Sequence, residues 1–178
     1  MTENYPTGLT ELDATFGGLR RGELTVIAGP SSKANAEVLA AISRGLHAPA
    51  LEIDTPSSLH VDEVLQRVSA ATSPRPTVVL IESLRAVHGL GPGTATWGPS
   101  FTELAVELDV ALLGTWLTPD RPSNQARCAD LYNTVAEDPG LLITVDGDPD
   151  ASGVLDVTCA RIHDPGMPTT HLAVPFSG

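Results

Sequence analysis

Apolar positions along the chain switch between strand-like runs and helix-like spacing, and the switches predict its elements. Residues 23–28 (ELTVIA) form a short apolar run suited to a buried strand. Residues 34–46 (ANAEVLAAISRGL) then place Val38, Leu39, Ile42 and Leu46 on one helical face. A second strand is predicted at 50–53 and a second amphipathic helix at 61–71 (VDEVLQRVSAA). After the breaker Ser73-Pro74-Arg75-Pro76, residues 77–81 (TVVLI) carry the clearest buried-strand signal in the chain. A Gly/Pro-rich loop over 88–99 precedes a helix at 101–108 and a strand at 110–115. A polar stretch with a helix around 126–135 follows. The last part differs: 141–145, 154–160 and 170–174 read as short strands separated by turns, with no helices between them.

Repeated strand–helix units imply an α/β fold, because parallel neighbours need a long connection and a helix usually supplies it. The expectation is a mostly parallel central sheet flanked by helices, with antiparallel strands added at the C-terminal edge. A length of 178 residues and the absence of internal repeats make residues 1–178 one expected domain. No run of eighteen apolar residues occurs, so no membrane span is expected. The polar, acidic start (MTENYP) lacks the basic and apolar regions of a signal peptide, and the expected location is the cytoplasm.

Charge narrows the functional classes. Twenty-two acids against ten bases give a net charge of −12, and Lys33 is the only lysine. Nucleic-acid binding draws on cations that displace counterions from phosphates. The arginines are spread from Arg20 to Arg161, with only Arg20 and Arg21 adjacent. This composition argues against DNA binding by the domain alone. Cys128 and Cys159 have no CxxC spacing and read as reduced thiols. The five histidines form no metal-binding pair, so no metal site is expected.

Five segments resemble one family. Residues 7–31 contain Thr7-Gly-Leu-Thr-Glu-Leu-Asp13, Gly17-Gly-Leu-Arg-Arg-Gly-Glu-Leu24 and Thr25-Val-Ile-Ala-Gly-Pro-Ser31. They are similar to the entry segment and first core strand of the RecA-like C-terminal domain of DnaB-family replicative helicases. Residues 77–84, with Val78-Val-Leu-Ile-Glu-Ser-Leu84, resemble that family's Walker B strand. Residues 104–110 resemble the helix before its sensor strand, and Cys128-Ala-Asp-Leu-Tyr-Asn133 the segment after its DNA-facing loop. Residues 154–174, with Val157-Thr-Cys-Ala-Arg-Ile-His-Asp-Pro-Gly-Met-Pro-Thr169, resemble the strand–turn–strand that bears trans-acting basic residues. Five pieces in order imply a RecA-like, P-loop-type fold.

The resemblance also implies an ATP site, and the residues at its positions depart from what that chemistry needs. A P-loop follows GxxxxGK(S/T): glycines let backbone N–H groups wrap phosphates, lysine reaches the β/γ-phosphates, and a hydroxyl holds Mg²⁺. Here the segment is Gly29-Pro30-Ser31-Ser32-Lys33-Ala34-Asn35. Lys33 occupies the glycine position, Ala34 the lysine position and Asn35 the hydroxyl position. Lys33 acting as the phosphate lysine would leave three residues after Gly29, where the motif has five. Its competing reading is a solvated residue near a helix start.

Glu82 stands where a Walker B acid is implied. Asp54, with Glu52 as second candidate, stands where an acid that polarises water is implied; closing a strand or capping a helix explains Asp54 equally well. Thr115-Trp116-Leu117 puts bulk where a polar sensor pair is implied, and Trp116 is expected in the core, filling the vacated nucleotide cleft. Arg161 keeps a positive charge in the trans-acting segment, and His163 stands at the implied arginine finger. A finger arginine supplies about 10³–10⁵ in rate, which a mostly neutral imidazole does not.

Asp146-Gly-Asp-Pro-Asp-Ala-Ser-Gly153 alternates carboxylates as a calcium loop does, but Ala151 replaces the glycine and Val157 the final glutamate. A turn between strands is the expectation there. Trp97 is a candidate interface aromatic. The favoured reading is a catalytically inactive DnaB/RecA-like domain, without cofactor, that acts through a protein partner or self-association, with binding energy from apolar edge contacts and surface arginines such as Arg161. Two others stay open: an ATP-dependent helicase-like ATPase with an atypical P-loop, and a module that binds nucleotide with Mg²⁺ without hydrolysing it.

Overall fold

The computed structural model describes residues 3–55, 58–71, 74–89, 100–118, 139–147, 152–162, 166 and 168–176. The chain begins with β1 (Asn4–Tyr5), helix α1 (Thr10–Phe16) and β2 (Leu19–Arg20), and β1 pairs antiparallel with β2. Strand β3 (Leu24–Gly29), helix α2 (Ser32–Gly45), β4 (Ala50–Ile53), β5 (Leu59–His60) and helix α3 (Val61–Ala70) follow. Then come β6 (Val78–Ile81), a 3-10 turn at Leu84–Ala86, β7 (Val87–His88), helix α4 (Phe101–Leu108) and β8 (Ala111–Leu117). Strands β9 (Leu141–Val145), β10 (Val154–Arg161) and β11 (Thr170–Pro175) close the order.

Seven strands form one sheet in the order β11-β10-β9-β3-β8-β6-β4. The five from β9 to β4 are parallel, whereas β10 pairs antiparallel with both β9 and β11. The expected mostly parallel sheet with an antiparallel C-terminal edge is therefore present. One detail differs: 141–145 joins the parallel set beside β3, so the antiparallel edge consists of β10 and β11 alone.

Burial on both faces explains the unbroken apolar runs, because strands covered on each side need no polar alternation. Along β3, Leu24, Val26 and Ala28 enter a core with α3 and α4 residues such as Val64, Val68 and Leu104. Ile27 enters the opposite core with Leu12 and Phe16 of α1 and with Val38 and Ile42 of α2. Helix starts follow local capping. Ser31 Oγ accepts from Ala34 N at 3.3 Å, which starts α2 two residues before its apolar stripe suggests. Ser100 and Glu103 form a reciprocal capping box at α4 (3.1 and 2.8 Å).

The periodicity missed α1, whose seven residues offer only Leu12 and Phe16 to the core. The segment Thr7-Gly-Leu-Thr-Glu-Leu-Asp13 is a clamp on this helix. Asp13 Oδ1 accepts from Thr7 N and Thr7 Oγ1, both at 2.8 Å, and Oδ2 accepts from Gly8 N at 2.9 Å. The clamp holds the backbone against the end of α2: a Cβ on Gly45 would lie 2.1 Å from the Thr7 carbonyl oxygen. At the other edge, Cys159 of β10 is fully buried, and burial pushes its thiol up to about 12.

Two outcomes follow from this packing. Asp13→Ala leaves the buried Thr7 donors unpaired and is expected to cost about 2–3 kcal/mol in urea unfolding. Because the thiolate is the nucleophile, Cys159 is expected to resist maleimide at pH 8 in a Cys128→Ser background until denaturant is added. Rapid labelling of that native variant would contradict the burial.

Candidate functional site

Parallel strands deliver their C-terminal ends to one side of the sheet, and ligands of open α/β sheets gather there. The end of β3 passes to α2 through only Pro30 and Ser31, since the strand ends at Gly29 and the helix starts at Ser32. Within the first turns of α2, the Asn35 side chain turns inward and is 1% exposed. Its Nδ2 donates to the carbonyls of Gly29 and Trp116, both at 3.2 Å, tying the ends of β3 and β8 together. Thr118 N donates to the Gly29 carbonyl as well, at 3.0 Å. A Cβ on residue 29 would lie 2.6 Å from Asn35 Oδ1 and 2.8 Å from the Val145 carbonyl, so a glycine is needed for this close approach.

Lys33 points elsewhere. Its Nζ lies 5.0 Å from the centroid of the Phe176 ring, just beyond β11 and toward the antiparallel edge. Glu82, at the end of β6, and Asp54, after β4, sit toward the opposite edge. Both are exposed, and both line a cleft of about 360 Å³ with Glu52, Ser43 and Arg44. Glu82 Oε2 accepts weakly from Thr55 N at 3.4 Å, and Ser43 Oγ donates to Glu52. The Thr115 hydroxyl donates to the Glu82 carbonyl, joining β8 to β6. The three candidate acids therefore share one cleft, while the lysine faces the other end of the sheet.

Two expectations are corrected. Trp116 is buried, but its ring joins the core on the α3 and α4 face, with Arg85 stacked at 5.6 Å. The side chain that fills the space at the end of β3 is Asn35, because residue 116 alternates to the face opposite α2. Arg161 is not a surface cation. It is 7% exposed, pairs with Glu23 and lies 5.9 Å from the Phe16 ring. Strand β10 pairs with β9 at Leu141, next to Gly140, whose missing Cβ makes room for the Glu23 carboxylate.

Neither Phe176 as partner of Lys33 nor Glu23 as partner of Arg161 was signalled by the sequence, since each of these two contacts spans more than a hundred residues. His163, Trp97, Cys128, the stretches 90–98 and 119–127, the helix expected around 126–135 and residues 148–151 of the calcium-like turn lie outside the described residues.

Electrostatics on the described surface match the acidic composition. Arg20 and Arg161 meet Glu23, and Arg21 bridges Glu3 and Asp109. Arg75 donates to the Leu108 carbonyl and Arg85 to that of Leu117. Five of the seven described arginines are thus engaged within the fold, while Arg44 and Arg67 are exposed. No group of three or more potential metal ligands occurs among the described residues, and no described helix is long and apolar enough to cross a membrane.

No protein-family model matches the chain, and no curated protein sequence matches it. Solved structures do. A DnaB-like replicative helicase, described with its interactions with primase, aligns with a TM-score of 0.70 at 15% identity, over 96% of this chain and 60% of that one. A KaiC-like protein from the archaeon Pyrococcus horikoshii aligns with a TM-score of 0.61 at 10% identity, over 97% and 94%. An isolated ATPase domain aligns with a TM-score of 0.65 at 14% identity, over 96% and 87%. This chain thus spans about 60% of the length of that helicase. At these identities the likeness is one of fold, and the fold is the RecA-like one shared by DnaB-like helicase and KaiC-like domains.

Proposed function

We propose that this chain is a RecA-like domain without ATPase chemistry, which acts by associating with protein as a scaffold or regulator of a DnaB-like or self-assembled complex. The observation that carries this reading is the join between β3 and α2. Two residues connect strand to helix, and Asn35 occupies the end of the strand with its own hydrogen bonds. A loop that wraps a β-phosphate needs several backbone N–H groups facing one centre, which a two-residue connection does not supply. Lys33 and Glu82 diverge toward opposite sheet edges, so a phosphate chain and its cation would not meet both. The engaged arginines also weigh against a DNA motor, since phosphate binding depends on available cations.

Association is the role this reading favours for the fold. The helicase neighbour is described with a protein partner, primase, and that description supports looking first for a protein partner here. Fold alone does not assign function, so the reading rests on the altered join.

Calorimetry with millimolar ATP and Mg²⁺, paired with a thermal-shift scan, tests it. A ligand at 100 times its dissociation constant adds about 2.7 kcal/mol of stability, so even modest affinity registers. The expected result is no heat and no shift. Binding abolished by Lys33→Ala would overturn the reading in favour of an atypical P-loop; binding without hydrolysis would favour a nucleotide-sensing module. Without ligand, Asn35→Ala is expected to cost about 1–3 kcal/mol in urea unfolding, through the lost donor to the Trp116 carbonyl and the loss of one of the two donors to the Gly29 carbonyl, which keeps Thr118 N. Lys33→Ala, which removes a partly exposed cation–π contact, is expected to cost at most about 1 kcal/mol.

A further inference from the structure

Among the described residues, the sheet face beside α2 is not covered all the way to its edge. Helix α2 lies over β3 and β8, and beyond it β6 and β4 carry the sheet on toward solvent. The uncovered corner is the cleft of about 360 Å³. Its near wall is apolar, with Ala36, Leu39 and Ala40 from α2 and Leu80 of β6 beneath them, whereas the Ile53 side chain at its edge belongs to the core on the opposite face. Its rim carries Glu52, Asp54 and Glu82 against one cation, Arg44. No ion pair crosses it among the described residues. Exposure of Ala36, Glu52, Asp54 and Glu82 leaves it open to solvent. Among the described residues β4 is also an edge strand, hydrogen-bonded to β6 alone.

We propose that this cleft is a docking site for a basic, amphipathic segment of a protein partner. The occupant would be an arginine or lysine side chain with an apolar neighbour. Its aliphatic stem would lie on the α2 wall, and its cationic head would reach the rim carboxylates. The chemistry fits on two counts. Long basic side chains are the residues that combine an apolar stem with a charged head, and the cleft combines an apolar wall with a net-negative rim. A volume of this size takes one or two side chains. Carboxylates at such a rim favour the right partner and steer its approach more than they add raw affinity. The inference rests on the association reading and names the chemistry of the partner that reading requires.

The test uses the full chain, ¹⁵N-labelled, titrated with a capped six-residue peptide of alternating leucine and arginine. Matched peptides alternating glycine with arginine, and leucine with glutamate, serve as controls. Saturable shifts are expected for amides of 36–44, 50–54 and 80–82 with the leucine–arginine peptide, and weaker or no shifts with the controls. Neutralising the rim with Asp54→Asn and Glu82→Gln is expected to weaken binding about three- to tenfold, as two partly exposed charge pairs allow. Ala36→Arg, at an exposed helical position, fills the cleft from within and is expected to abolish the localised shifts. Dispersed amide spectra check that each variant is folded.

Shifts scattered over the acidic surface, equal response to the glycine–arginine peptide, or indifference to Ala36→Arg would overturn the proposal. Sedimentation of the chain alone and with candidate partners separates the two readings. Association that persists in Ala36→Arg rejects the cleft and keeps the association reading. Absence of any association, together with ATP binding, rejects the association reading itself.

Discussion

A strand buried in the middle of a parallel sheet must hand the chain to a helix at its end, and the geometry of that hand-off decides what the sheet can bind. Strand β3 is bonded to β8 on one edge and β9 on the other, with helices over both faces. Its last carbonyl, at Gly29, cannot be left without donors in so buried a place. Here the chain solves this internally: the Asn35 amide and the Thr118 N–H both donate to it. In a phosphate-binding loop the same region turns its backbone N–H groups outward to an anion. Under the proposed reading the inward amide and the short connection take the place of such a loop.

The consequences spread through neighbouring elements. Asn35 also reaches the Trp116 carbonyl, so the ends of β3 and β8 are locked from the α2 side while the indole packs on the other. Lys33, two residues earlier on α2, lies over Phe176 instead. The acids at the ends of β4 and β6 rim the cleft along α2. At the far edge, Arg161 is bound to Glu23 within the chain, so its charge serves the joint between β10 and the entry of β3.

Much of the fold was legible because it depends on local pattern. The runs at 77–81 and 141–145 are strands buried on both faces, and 101–108 is a capped amphipathic helix, so composition and spacing alone define them. The parallel partner of β9 was not legible: a helix-free tail looks antiparallel, and pairing is decided by where β3 lies. Helix α1 escaped because two core contacts cannot set a period.

At the site, the sequence singled out residues but could not show their contacts. The departures at Lys33, Ala34 and Asn35 were plain from the motif, yet only packing shows that Asn35 closes the strand ends. Arg161 looked like an outward cation because charge usually means solvent; Glu23, 138 positions away, reverses that. The central claim is that the Asn35 amide, and not a ligand, completes the end of β3. Side-chain amide hydrogen exchange at Asn35, followed by NMR with and without ATP and Mg²⁺, tests this most directly. The account predicts slow exchange and an amide resonance that nucleotide leaves unmoved. Exchange at the rate of a free amide, or a resonance that shifts on adding ATP, would contradict it.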